Sequence, residues 1–141
     1  MKDLCKQLNI ENDVIFTGWV DFSLVPSYIK ASDVCLVPHH SNGHTNTTIP
    51  YKLFQYMSME KPIIVTDCPP LKRIVEETGS GLVIPSGDYN KMAEAVVSLY
   101  ENPESSKMMG ENGKKAVEEK YNWKSEAEKL CALYKKIHYM K

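Results

Sequence analysis

Apolar and polar positions alternate along this chain on two different periods, and the switches between them mark its elements. Four short runs, Val14–Thr17, Val34–Val37, Ile63–Thr66 and Leu82–Ile84, are apolar almost throughout, as in strands covered on both faces. Elsewhere apolar residues recur at three and four, the spacing of one side of a helix. That spacing predicts helices over Lys2–Leu8, Val25–Ala31, Pro50–Met59, Leu71–Glu77, Asn90–Glu101, Glu104–Glu119 and Lys124–Tyr139. In the helix after Asp88, Met92, Ala95, Val96, Leu99 and Tyr100 form the stripe, and Asp88 is placed to cap it. Strands alternating with helices are the signature of βαβ units. The expected fold is therefore α/β, a Rossmann-like parallel sheet of four strands with helices on both faces. Gly110 and Gly113 fall inside one predicted helix and should weaken or split it.

The stretch from Thr47 to Asp67 carries the most functional information. It reads as a polar loop, a helix opened by Pro50, and the buried strand Ile63–Thr66. Proline has no N–H to lose at the first helical position. Leu53, Phe54, Met57 and Met59 give the helix an apolar face, and Lys61-Pro62 ends it. Such a loop leaves unpaired N–H groups and the positive end of the helix dipole exposed, which suits a phosphate or carboxylate. The small polar residues Gly43, Thr45, Asn46, Thr47 and Thr48 suit the same role, and Lys52 in the first turn adds charge.

Composition narrows the function classes. A chain of 141 residues with 43% hydrophobic and 25% charged residues is one ordinary globular domain, residues 1–141. A net charge of −1 offers no field for nucleic acid. Cys5, Cys35, Cys68 and Cys131 are widely spaced, which favours reduced thiols and a cytoplasmic setting. Met1-Lys-Asp-Leu4 lacks the apolar core of a signal peptide. His39-His-Ser-Asn-Gly-His44 has the imidazoles of a metal site but no cysteine or carboxylate and no regular ligand spacing, so it reads as a loop turned by Asn42-Gly43. No metal or other cofactor is expected.

Several segments, in order, resemble the retaining, nucleotide-sugar-dependent glycosyltransferases of the GT-B fold, family 4 type. Members carry a Glu, seven residues, a second Glu, and then Ala-Met-Ala-x-Gly-Lys-Pro-Val before a buried strand. Gln55-Tyr-Met57-Ser-Met-Glu-Lys61-Pro62-Ile63 falls on that pattern. Val14-Ile-Phe-Thr-Gly18, Tyr28-Ile-Lys-Ala31-Ser-Asp33-Val-Cys-Leu-Val-Pro38, Gly81-Leu-Val-Ile-Pro85-Ser-Gly-Asp88 and Tyr121-Asn-Trp123 resemble further family segments. Gln55 stands where the family has its second glutamate and Thr47 where it has the first. Pro50-Tyr-Lys52-Leu-Phe-Gln55-Tyr56-Met57 is closer to a branch with Pro-x-Lys-x-x-Glu-Tyr-Met. Near the start of the next helix, Arg73 occupies a position where a Glu is common.

The resemblance implies a UDP-, GDP- or ADP-type nucleotide sugar bound at Gly43, His44, Thr45, Asn46, Thr47, Thr48, Lys52 and Gln55. It implies a base edge at Gly18 and Trp19, with Gly18 allowing close approach. Thr66-Asp67-Cys-Pro-Pro70 would line the rim, and Trp123 would anchor the last helix. It also implies that two strands, with a glycine-rich loop, and a whole acceptor-binding domain lie outside this chain, as a missing domain or a second chain. In the doubly wound order those strands would sit between Val14–Thr17 and Val34–Val37. The chain alone should then be inactive, prone to self-association or to pairing with another polypeptide, and able to touch the inner membrane face only through the missing domain. Two other readings are a non-catalytic nucleotide-binding or interaction remnant and a nucleotide-sugar 2-epimerase-like isomerase. The second needs carboxylates around the sugar, and none occurs between His39 and Met59.

Overall fold

The computed structural model describes residues 1–138. The chain runs through α1 (Lys2–Gln7), a 3₁₀ turn (Phe22–Leu24), α2 (Val25–Ala31), β1 (Cys35–Val37) and α3 (Tyr51–Ser58). It continues through β2 (Ile63–Thr66), α4 (Pro69–Thr78), β3 (Gly81–Ile84), α5 (Tyr89–Glu101), α6 (Pro103–Glu119) and α7 (Trp123–His138). The expected end of the last helix, Tyr139, lies outside the described residues. The sheet is parallel in the order β1-β2-β3, with Cys35 level with Ile63 and Ile63 level with Gly81.

All four residues of β2 are buried, so both faces of the sheet need cover. On one face Val37, Ile63 and Val65 pack with Leu53 and Met57 of α3 and with Leu71, Ile74 and Val75 of α4. On the other, Ile64 and Ile84 pack with Ala95 and Leu99 of α5. Fully burying side chains of this size stabilises by roughly 1.5–3 kcal/mol each, which makes β2 the energetic centre of the domain. Asp88 caps α5 as its position suggests, its carboxylate accepting from the Lys91 N–H at 2.9 Å. The helix and sheet ends at the far side are tied by Lys120 and the Tyr121 hydroxyl, both bonded to Glu77.

Three local expectations are corrected. Val14–Thr17 is extended chain with no ladder partner, so the sheet has three strands rather than four. An apolar run becomes a strand only where a neighbour accepts its hydrogen bonds, and here Ile15 stays 87% exposed. Helix α6 runs unbroken through its glycines, not split there. A Cβ on Gly110 would stand 2.2 Å from the Glu60 carbonyl oxygen, and one on Gly113 would press on Ser80 and Met57. The glycines let α6 lie directly against the end of α3, and packing outweighs their poor helix propensity. Finally, Pro50 is the extended N-cap residue and α3 starts at Tyr51, one position later than expected.

Glu60, just past α3, has φ +56, a left-handed conformation that favours glycine. At that position the resembled pattern has its Gly before Lys-Pro. Glu60 gains in exchange an ion pair with Lys114 of α6 at 2.7 Å.

Among the described residues, two surfaces lack cover. β1 has a neighbour on one side only, and its Leu36 is exposed. No residue of α7 is buried, although Leu130, Tyr134 and Ile137 share one face at helical spacing. Trp123, at the start of α7, is 77% exposed.

Replacing a mid-helix glycine by alanine ordinarily stabilises a helix by about 1 kcal/mol. Gly110→Ala should instead destabilise by ~2 kcal/mol or more, because the clash is with backbone. Urea denaturation of the two proteins measures it, and a stabilised variant would show that α6 does not lie this close to Glu60. The open β1 edge and the α7 stripe should also drive self-association at micromolar concentration. Sedimentation equilibrium checks this; a single 16.0 kDa species at every concentration contradicts it.

Candidate functional site

The carboxyl ends of the three strands are fastened together through one backbone oxygen. The His39 carbonyl, two residues past β1, accepts hydrogen bonds from Thr66 Oγ1 at 2.7 Å and Ser86 Oγ at 3.3 Å. The Cys68 thiol lies 3.8 Å from the same oxygen. Ser86 in turn donates its N–H to Asp67 Oδ1 at 2.9 Å and accepts from the Ser41 N–H at 2.9 Å. Thr66 and Cys68 are buried beneath this knot, whereas Asp67 and Ser41 on its outer side are exposed. Thr66-Asp67-Cys68, expected at a pocket rim, thus acts from below by fixing the loop that follows β1.

That loop is locked by its own side chains. Asn42 Oδ1 accepts from the N–H groups of His44 at 2.9 Å and Thr45 at 3.0 Å, an Asx turn. Thr45 donates to the His40 carbonyl at 2.6 Å, and Thr47 and Thr48 both donate to the His44 carbonyl, at 3.0 and 2.9 Å. Asn46 Oδ1 accepts from Ser41 Oγ at 3.0 Å. The threonine hydroxyl protons are therefore already committed inside the loop. Gly43 and His44 lie exposed on its outer surface. What the loop offers a ligand is a preformed backbone, its remaining N–H groups, and the start of α3, which no side chain caps.

Helix α3 carries Lys52 and Gln55 three residues apart, on one side. Both line a cavity of about 500 Å³ that runs along the free edge of β1, together with Thr17, Tyr28, Cys35 and Tyr56. Its lining contains no aspartate or glutamate. Burial pushes the Cys35 thiol up to about 11, which makes it an inert wall rather than a nucleophile. The structure brings Lys52 and Gln55 together as the sequence suggests. It does not bring Gly18 and Trp19 into the cavity, where their flanking residues Thr17 and Val20 stand instead. Trp19 is 98% exposed, and Gly18 serves its φ of +64, since nothing approaches it within 4 Å.

A larger groove of about 730 Å³ opens at the other end of the strands, between Asp33, Lys61, Tyr100 and Lys107. Size alone would favour it. Ligands of open parallel sheets, however, bind outside the carboxyl ends of the strands, where the loop after β1 and the α3 N-terminus lie. Among the described residues no three histidine, cysteine, aspartate or glutamate side chains gather to hold a metal ion.

His39 heads the histidine-bearing loop that the sequence reads as a turn rather than a metal site. Its ring is partly buried, and burial followed by the charges of Lys52 and His44 holds it below the ordinary value of 6.5. Nothing local in the sequence signals this, because the partners that fix His39 come from Thr66 and Ser86, 27 and 47 residues away.

Comparison with known proteins agrees with this geometry. Residues 1–116 match the family described as glycosyl transferases group 1. An uncharacterized glycosyltransferase of Methanocaldococcus jannaschii is 27% identical over 128 residues, covering 91% of this chain and 32% of that protein. The alpha-D-kanosaminyltransferase of Streptomyces kanamyceticus is 23% identical, with the same 91% and 32% coverage. The chain thus spans about a third of the length of these curated relatives. Among solved structures, a sucrose-phosphate synthase from Thermosynechococcus elongatus superposes with a TM-score of 0.87 at 24% identity, over 99% of this chain and 34% of its own. The C-terminal domain of a group 1 glycosyl transferase from Francisella tularensis gives 0.73 at 20% identity, over 86% and 60%. The chain belongs to the group 1 glycosyl transferases, and its fold is that of a GT-B carboxyl-terminal domain.

Proposed function

We propose that this chain is the nucleotide-sugar-binding part of a retaining glycosyltransferase that moves a hexosyl group onto an acceptor hydroxyl. The observation that carries the reading is that α3, whose N-terminus no side chain caps, also sets Lys52 and Gln55 into the wall of one cavity. The helix end and the Lys52 ammonium suit the diphosphate, whose negative charge grows as the sugar departs. Gln55, at the position of a family glutamate, suits a sugar or ribose hydroxyl through its amide oxygen. It is neutral, and a neutral acceptor bonds about half as strongly as a carboxylate. The acceptor alcohol would be bound by a part of the enzyme beyond this third.

A non-catalytic nucleotide-binding module is the second reading, favoured by Gln55 and Thr47 in place of carboxylates. An epimerase is disfavoured, because no carboxylate lines the cavity.

Two outcomes are expected. The purified chain should transfer no sugar, since positioning two substrates together contributes many orders of magnitude in rate. Transfer above a blank would contradict this. Titration calorimetry with UDP, GDP and ADP should give binding of one of them, weakened by roughly 1 kcal/mol in Gln55→Ala. Gln55→Glu should bind more tightly than the wild type. Affinity unaltered in both folded variants would remove Gln55 from the site.

A further inference from the structure

Strands β1 and β3 do not pair, because β2 lies between them. The loop after β1 and the turn after β3 nevertheless meet at one side chain. Ser86 Oγ accepts the Ser41 N–H at 2.9 Å and donates its own proton to the His39 carbonyl at 3.3 Å. What puts Ser86 there is local. Residues 85–88 form a turn in which the Asp88 N–H donates to the Pro85 carbonyl at 3.2 Å. Its third residue, Gly87, has the φ of +84 that a type II turn requires. The Ser86 N–H is held in addition by Asp67 Oδ1 at 2.9 Å.

The loop after β1 is a closed unit by comparison. Hydrogen bonds link Asn42 to His44 and Thr45, Thr45 to His40, and Thr47 and Thr48 to His44, all inside residues 40–48. Among the described residues, the Ser41–Ser86 bond is the one hydrogen bond that joins 40–48 to another part of the chain.

We infer that Ser86 is a positioning residue of the nucleotide site: it fixes a loop that is rigid in itself in one place against the strand ends. The inference rests on the nucleotide-binding reading above and adds to it a residue that acts through the loop rather than on the ligand. A hydroxyl suits the place because it donates and accepts at once, and both capacities are used. With alanine there, the His39 carbonyl would keep its bond from Thr66, but the Ser41 N–H would have no protein partner. Ser41 is exposed, so water replaces that bond and the fold survives. The loop would then keep its internal bonds and be held to the sheet only at His39. A loop already in place needs no ordering when a ligand arrives, whereas a loop free to swing must be ordered, which weakens binding.

Two measurements on the full chain separate the loop attachment from the ligand. Amide exchange of the free protein, followed by NMR, should be about 10-fold faster at Ser41 in Ser86→Ala and unchanged at His44 and Thr45. Unaltered exchange at Ser41 overturns the inference whether or not any nucleotide binds. So does equal acceleration at His44 and Thr45, which would mean that the loop melts instead of shifting. Calorimetry then compares the variants using whichever of UDP, GDP and ADP the wild type binds. Ser86→Ala should weaken it about 5-fold. Ser86→Thr, which keeps the hydroxyl, should stay within about 2-fold of wild type. Wild-type affinity in a Ser86→Ala protein that is folded by circular dichroism overturns the positioning role, as does a loss in Ser86→Thr equal to that in Ser86→Ala. If the wild type binds none of the three, the donor-site reading falls and the ligand half of the inference with it, while the attachment of the loop stands or falls on the exchange rates.

Discussion

β2 cannot be exposed, and the domain is organised around covering it. Its four residues carry apolar bulk on both faces, so a single layer of helices would leave half of them in water. α3 and α4 take one face and α5 the other. The crossover helices α3 and α4 run the chain back between parallel strands, so every strand ends at the same edge of the sheet. The His39 carbonyl can therefore collect Thr66 from the end of β2 and Ser86 from beyond β3. The same burial that stabilises the fold thus assembles the place where a ligand would bind.

The close approach of α6 is the second consequence. With β2 central, its connection to α3 passes beneath α6, and only residues without a Cβ let the two backbones meet. Gly110 and Gly113 meet that requirement, and the chain reverses at Glu60 in a left-handed turn. Lys114 then spans from α6 back to Glu60, an exposed pair worth little by itself but fixed by the packing beneath it.

Most of this was legible in the apolar pattern. The three buried runs and the seven helices are set by period and by punctuation such as Asp88 and Lys61-Pro62, which are local signals. What was not legible is non-local. Val14–Thr17 has the composition of a strand but no ladder to join, and composition carries no information about neighbours. Gly110 and Gly113 have poor helix propensity, and only the position of Glu60 explains them. The loop threonines were expected to face a ligand, yet Asn42 folds the loop so that their protons meet its own carbonyls. Lys52 and Gln55 were legible because helix geometry alone puts them side by side. The knot at the His39 carbonyl was not, because Thr66 and Ser86 reach it from distant strands.

The central claim is that a nucleotide sits at the carboxyl ends of the strands, against the start of α3, and not in the larger groove at their other end. Amide chemical-shift mapping during titration with UDP, GDP and ADP locates it directly. The account predicts shifts concentrated at His39–Thr48, Tyr51, Lys52 and Gln55, with Asp33, Lys61, Tyr100 and Lys107 unmoved. Shifts centred on that second group, or none at saturating nucleotide, would contradict it.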